Sequence, residues 1–132
     1  MKKVLVFGTF DPLHRGHLDF FQQAKKLGNY LVAVAATDDK IRAEKSREPR
    51  QPEKERVEAI KNSDLTDAVI LGEKSGEYSL INKIKPDIIA IGYDQQIPPA
   101  LKKELKKYKI VKLKPYKSKI YKSSKLASSS SG

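Results

Sequence analysis

Short apolar runs alternate along the chain with stretches in which apolar residues recur every three or four positions. The runs are Val4-Leu5-Val6-Phe7, Tyr30-Leu31-Val32-Ala33-Val34-Ala35, Ala68-Val69-Ile70-Leu71 and Asp87-Ile88-Ile89-Ala90-Ile91, with Ile110-Val111-Lys112-Leu113 a weaker fifth. Near-continuous apolar runs of this length, bounded by polar or turn residues, predict strands buried on both faces. Gly16 to Leu27 predicts a helix with Leu18, Phe21, Ala24 and Leu27 on one face and Gly28 as its stop. A short helix is expected from near Asp38, followed by a polar, basic loop, Lys45-Ser46-Arg47-Glu48-Pro49-Arg50. Pro52 opens a helix through about Asn62 with Val57 and Ile60 inward. Gly76 to Lys85 is a helical connection, and Pro98 to Tyr108 a lysine-rich helix.

Strands alternating with helices predict an α/β fold: a doubly wound, Rossmann-like, five-stranded parallel sheet with helices on both faces. In the expected strand order, 3-2-1-4-5, the loop after the first strand faces the loop after the fourth. Ligands of such folds bind at that switch point, beyond the carboxyl ends of the strands.

The length, 132 residues, suits one compact domain, taken as residues 1–126, with a flexible Ser-rich tail over 127–132. No apolar run approaches the roughly 18 residues of a membrane span, and no signal-peptide pattern precedes the first strand. The chain has no cysteine, which excludes a disulfide framework, a thiolate metal site and a thiol nucleophile. A cytoplasmic location is expected. The net charge of +11 is concentrated: residues 101–126 hold eleven lysines against Glu104 alone, a net of +10. Such a patch suits an anionic partner, whether a triphosphate, a phosphorylated acceptor or nucleic acid. It equally suits a solvated lysine face of the kind found in heat-adapted proteins. A nucleic-acid-binding module is the weaker alternative: there is no aromatic stacking platform and no helix-turn-helix spacing.

The loop after the first strand carries the candidate chemistry: Gly8-Thr9-Phe10-Asp11-Pro12-Leu13-His14-Arg15-Gly16-His17. It is neither the Gly-x-Gly-x-x-Gly fingerprint nor a Walker P-loop. Both histidines of the chain flank Gly16 at the start of a helix. The glycine admits a close backbone approach, and the helix N-terminus offers unpaired N–H groups to an anion. Imidazoles three residues apart share one face of the first turn, where they can stabilise charge growing on a phosphate. The bland alternatives are a helix cap or core filler, or a metal site with Asp11 as third ligand.

Gly8-Thr9-Phe10-Asp11 followed by His14-x-Gly16-His17 resembles the signature of the cytidylyltransferase-like nucleotidyltransferases, over nearly the whole chain from Lys3 to Leu126. Within that family, Gly92-Tyr93-Asp94-Gln95 resembles an element of the archaeal FAD synthetases, which are FMN adenylyltransferases. Glu53 to Arg56 and Lys85-Pro86-Asp87 fit the same pattern. The resemblance implies transfer of AMP from ATP to FMN, giving FAD and pyrophosphate, with Mg²⁺ or another divalent cation on the triphosphate. A cytidylyltransferase using CTP and glycerol 3-phosphate, or another small phosphate, is the alternative within the family. By the same resemblance His14 and His17 bind the triphosphate and stabilise the transition state, with Gly8, Thr9, Phe10, Arg15 and Gly16 around the nucleotide. Lys45 reaches the phosphates, Arg56 approaches them, and Asp94 lies at the ribose or base. Tyr121, Ser123 and Ser124 match a late Ser/Thr motif that grips the β- and γ-phosphates, although lysines stand here in place of its upstream arginine. A homodimer is also implied.

Overall fold

The computed structural model describes residues 2–72, 78–92, 95 and 107–114. Within them the chain order is β1 (Lys3–Gly8), α1 (Arg15–Lys25), β2 (Tyr30–Ala35), α2 (Asp38–Lys45), α3 (Glu53–Asn62), β3 (Ala68–Leu71), α4 (Tyr78–Ile84), β4 (Ile88–Ile91) and β5 (Lys109–Lys112). The strands form one sheet in the order β3-β2-β1-β4-β5, every pairing parallel. This is the predicted doubly wound sheet. Among the described residues no helix is long and apolar enough to cross a membrane.

Side-chain alternation divides the core. Val4, Val6, Leu31, Ala33 and Ala35 face one side, where Phe21 and Ala24 of α1 and Ile60 of α3 cover them. Leu5, Val32, Val34, Ile89 and Ile91 face the other, under Leu80 and Ile81 of α4. Burial on both faces is why these strands read as unbroken apolar runs. Two aspartates set register where strands begin. Asp67 accepts the Leu31 N–H and donates its own N–H to Leu31 O, aligning β3 with β2. Asp87 does the same with Lys3, aligning β4 with β1.

Element boundaries differ from the expectation in two useful places. α1 starts at Arg15, one residue early, because His14 serves as its N-cap. Lys45 is the last residue of α2 and not part of the following loop, the helix closing on Ser46 in the left-handed region (φ 53°). The predicted lysine-rich helix lies almost wholly outside the described residues, as does the Ser-rich tail.

The central feature for function is where β1 and β4 part. Their pairing runs only through Val4↔Ile88 and Leu5↔Ile89, although β1 continues to Gly8 and β4 to Ile91. On the other side β1 stays paired with β2 to its end, Gly8↔Ala35. A crevice therefore opens between the carboxyl ends of β1 and β4, the position at which such sheets bind ligands.

Candidate active site

The catalytic turn stands at that crevice. His14 has extended backbone (φ −141°, ψ 179°), and its Nδ1 accepts the N–H of Gly16 at 3.0 Å. His17 closes the reciprocal half of a capping box, its Nδ1 accepting the N–H of His14 at 3.2 Å. The two rings stack with centroids 3.8 Å apart and planes inclined by 23°. A ring nitrogen that accepts an N–H carries no proton, so each neutral imidazole holds its proton on Nε2. In both rings that N–H lies on the side away from the backbone group that fixes Nδ1. With the first-turn N–H groups of α1, they form a donor array suited to phosphate oxygens.

Gly16 is required by this packing. A Cβ there would lie 2.9 Å from His14 Cε1 and 3.1 Å from His14 Nδ1. Phe10 supports the pair from below. Its ring is buried, edge-on to His17 at 5.2 Å and 85°, and tilted against Phe21 at 5.2 Å. Its φ of 51° is left-handed, a conformation that costs a bulky residue about 1–3 kcal/mol and persists where surroundings enforce it. The Phe10 side chain is therefore core and supports His17, so any contact of Phe10 with a nucleotide would be through its backbone. Gly8 packs its Cα against that ring, a Cβ meeting Phe10 Cζ at 3.2 Å.

Arg56 also departs from its expected role. It is fully buried, so its guanidinium is not a phosphate contact. Nη1 donates to Ala36 O at 2.6 Å and Thr9 O at 3.0 Å, Nε to Gln51 O at 3.0 Å, and Nη2 to Asp38 Oδ1 at 2.7 Å. It ties the loop after β1 to the end of β2 and the start of α2. Asp11 is similarly committed, and not as a metal ligand. Its carboxylate, with no exposed side-chain surface, accepts the N–H groups of Arg50 at 2.7 Å and Gln51 at 2.8 Å, and Arg47 Nη1 at 3.3 Å. Burial pushes its pKa up, but the Arg50 and Gln51 N–H groups, then Arg47 and the charge of Arg56, outweigh it. The carboxyl is held below its ordinary 3.8. Among the described residues no three His, Asp or Glu side chains converge to hold a metal ion.

Lys45 and Arg15 are exposed, at the end of α2 and the start of α1. Asp94, Tyr121, Ser123 and Ser124 lie outside the described residues. The structure adds one residue that sequence reasoning had only as part of a signature. Gln95 crosses the crevice: its Oε1 accepts the Gly92 N–H at 3.0 Å and its Nε2 donates to Phe7 O at 2.8 Å. The partners fix which end of the amide is which, because Gly92 N–H only donates and Phe7 O only accepts. For Arg56 a signal did exist: it shares a helical face with Ile60 and adjoins Val57, so the inward stripe of α3 passes through it.

Comparison with known proteins agrees with this geometry. The family model described as cytidylyltransferase-like matches residues 5–131. The FAD synthase of Thermococcus onnurineus is 44% identical over 110 residues, 82% of this chain and 73% of that protein. That of Ferroglobus placidus is 42% identical over 108 residues, 81% and 70% respectively. That of Thermococcus sibiricus is 39% identical over 131 residues, 94% and 88%. Among solved structures, a lipopolysaccharide core biosynthesis protein of Thermoplasma volcanium superposes with a TM-score of 0.80 at 36% identity, covering 88% of this chain and 98% of its own. The sheet order, the paired histidines at its switch point and these likenesses agree, and the chain belongs to the cytidylyltransferase-like family.

Proposed function

We propose that the protein is an FMN adenylyltransferase, joining AMP from ATP to FMN to give FAD and pyrophosphate. The observation that carries nucleotidyl transfer is the stacked pair His14 and His17 at the N-terminus of α1, each with Nδ1 bonded to backbone. FMN as acceptor is supported by relatives named FAD synthase that match over most of their own length.

A terminal phosphate oxygen of the acceptor attacks the α-phosphorus of the triphosphate in line. The new P–O bond forms as the bond to the bridging oxygen breaks, and that electron pair leaves with pyrophosphate. Negative charge grows on the bridging oxygen and on the non-bridging oxygens around the α-phosphorus. His14, His17 and the N-terminus of α1 would supply the donors to that charge, both rings held in place before the reaction by their Nδ1 bonds. No covalent intermediate is needed, and the work is positioning and charge stabilisation. A divalent cation such as Mg²⁺ would ride on the triphosphate oxygens, its usual mode of binding, and neutralise part of their charge.

The test is turnover with Mg²⁺, ATP or CTP, and FMN or glycerol 3-phosphate, following pyrophosphate and, with FMN, the appearance of FAD. The expected result is pyrophosphate and FAD from ATP with FMN, lost by about 10²-fold or more in His17→Ala. Pyrophosphate only from CTP with glycerol 3-phosphate would overturn the FMN assignment. Full activity of a folded His17→Ala would overturn the role of the turn.

A further inference from the structure

The segment between α2 and α3 is fastened to the catalytic loop through both backbone groups of one residue, Gln51. Asp11 Oδ1 accepts the Gln51 N–H at 2.8 Å, and Arg56 Nε donates to Gln51 O at 3.0 Å. The same two side chains grip the loop's neighbours: Asp11 Oδ2 takes the Arg50 N–H at 2.7 Å, and Arg56 Nη1 reaches Thr9 O at 3.0 Å. Arg47 completes the clip, with Nη1 on Asp11 Oδ2 at 3.3 Å and on Glu48 O at 2.9 Å. Asp11 lies three residues before His14. The clip thus ties the run bearing Arg47 and Arg50, which follows directly on Lys45 at the end of α2, to the loop that leads into the two imidazoles. Lys45 and Arg50 are exposed there, while both backbone groups of Gln51 are consumed internally.

A buried carboxylate that spends its acceptors on loop N–H groups does no chemistry on a substrate. It sets where the loop's cations stand. We propose that Asp11, with Arg56 behind it, is a positioning residue that holds Lys45 and Arg50 against the polyphosphate of the nucleoside triphosphate bound at His14 and His17. This rests on the nucleotidyl-transfer reading above. The ligand chemistry is a polyphosphate, for which exposed Lys and Arg side chains and a helix N-terminus are the expected contacts.

The experiment is a thermodynamic cycle on the full chain: wild type, Asp11→Asn, Lys45→Ala/Arg50→Ala, and the combination. Each is measured for equilibrium ATP affinity and for kcat and KM with ATP and FMN, and the two proteins that keep Arg50, wild type and Asp11→Asn, for the rate of limited tryptic cleavage after it. Asn keeps the shape but presents an amide donor to backbone donors, so the clip opens. Asp11→Asn is expected to weaken ATP by about tenfold, the loss of one charge-assisted contact, and to speed cleavage after Arg50. The cation variant is expected to weaken ATP similarly, and the combination no more than the stronger single change, because both remove the same contacts. Wild-type ATP affinity and cleavage rate in folded Asp11→Asn, or full additivity in the combination, would overturn the proposal. If Asp11→Asn does not fold, the exposed-site variant decides: unchanged ATP affinity overturns the proposal, a tenfold loss supports it. A wild type that binds ATP but makes no FAD would count against FMN as acceptor and leave this cycle readable.

Discussion

Replacing Gly16 by alanine puts a methyl group into the space of the His14 ring. The contact would be 2.9 Å to Cε1, whereas carbon atoms rest at about 3.5–4.0 Å. The ring must therefore retreat by about 0.5–1 Å, since α1's first turn cannot. That movement breaks the 3.0 Å bond from Gly16 N–H to Nδ1 and the 3.8 Å stack on His17. A misplacement of about 1 Å at the reacting centre is enough for a loss of roughly 10²-fold in turnover. Stability should move the other way or hardly at all. Alanine improves on glycine within a helix by about 0.5–1 kcal/mol, which offsets the roughly 0.5–1.5 kcal/mol of the lost hydrogen bond. The net change is thus within about 1 kcal/mol, a melting shift of no more than about 3–6 °C for a domain of this size. Thermal melting and pyrophosphate release on the same preparation check both halves. A Gly16→Ala protein with turnover within threefold of wild type would refute the argument that the glycine exists to seat His14. A protein that lost its fold would refute the stability half.

Arg56→Met should destabilise by about 3–5 kcal/mol, because it leaves the carbonyls of Thr9, Ala36 and Gln51 and the carboxylate of Asp38 without their partner; urea unfolding measures it. Arg56→Lys should recover less than half of that loss, since an ammonium cannot span four acceptors arranged around a planar fork. Asp11 has a depressed pKa in the folded state, so its contribution is fully present above the unfolded carboxyl range, near 4, and fades as pH falls through its folded value. Tryptic-site exposure is impractical there; hydrogen exchange at the Arg50 and Gln51 amides should stay protected at pH 5 and lose protection only below about 4. The same amides should be unprotected at every pH in Asp11→Asn. Gln95→Glu keeps an acceptor for the Gly92 N–H but sets a carboxylate oxygen against Phe7 O, an expected loss of about 1–3 kcal/mol that Gln95→Met, which removes both bonds, should not exceed by much.

The sheet was legible because its central strands are buried on both faces, so apolar runs mark them directly, whereas the edge strand β5 is largely exposed and reads more weakly. Val32-Ala33-Val34-Ala35 and Ile88-Ile89-Ala90-Ile91 show this: all eight are buried, and no polar residue interrupts them. The histidine turn was legible because two imidazoles flanking a glycine at a helix start have few structural reasons to coincide. The role of His14 as N-cap stood only among the bland alternatives, since caps are normally Ser, Thr, Asp or Asn, and the start of α1 was placed one residue late. The structural roles of Asp11 and Arg56 were not foreseen for a common reason. Charged residues are almost never buried unless paired, and the partners here lie as far as 36 positions away for the Asp11–Arg47 pair and 47 for the Arg56 bond to Thr9 O. The stripe of α3 hints that Arg56 faces inward, but nothing local names its partners. The end of α2 failed differently: Lys45 precedes Ser46, whose left-handed backbone terminates the helix without the glycine that usually signals such a stop.

Four of the polar side chains at the site, His14, Arg56, Asp11 and Gln95, bond chiefly to main chain and hardly to one another. The reason lies in the parting of β1 from β4. A strand that loses its neighbour leaves N–H and C=O groups that must find other partners or water. Phe7 O and Gly92 N–H, on opposite walls of the crevice, are taken by Gln95. Ala36 O and Thr9 O, just past the ends of β2 and β1, are taken by Arg56. The opening that admits a ligand thus creates the demand that these residues meet, and their side chains hold its rim at a fixed width. Substitutions among them should act on geometry more than on charge. Isosteric changes that reverse donor and acceptor, such as Asp11→Asn and Gln95→Glu, should therefore do more damage to the site than their small change in size suggests, whereas exposed cations such as Arg15, bonded to none of this framework, should alter binding and leave the fold untouched.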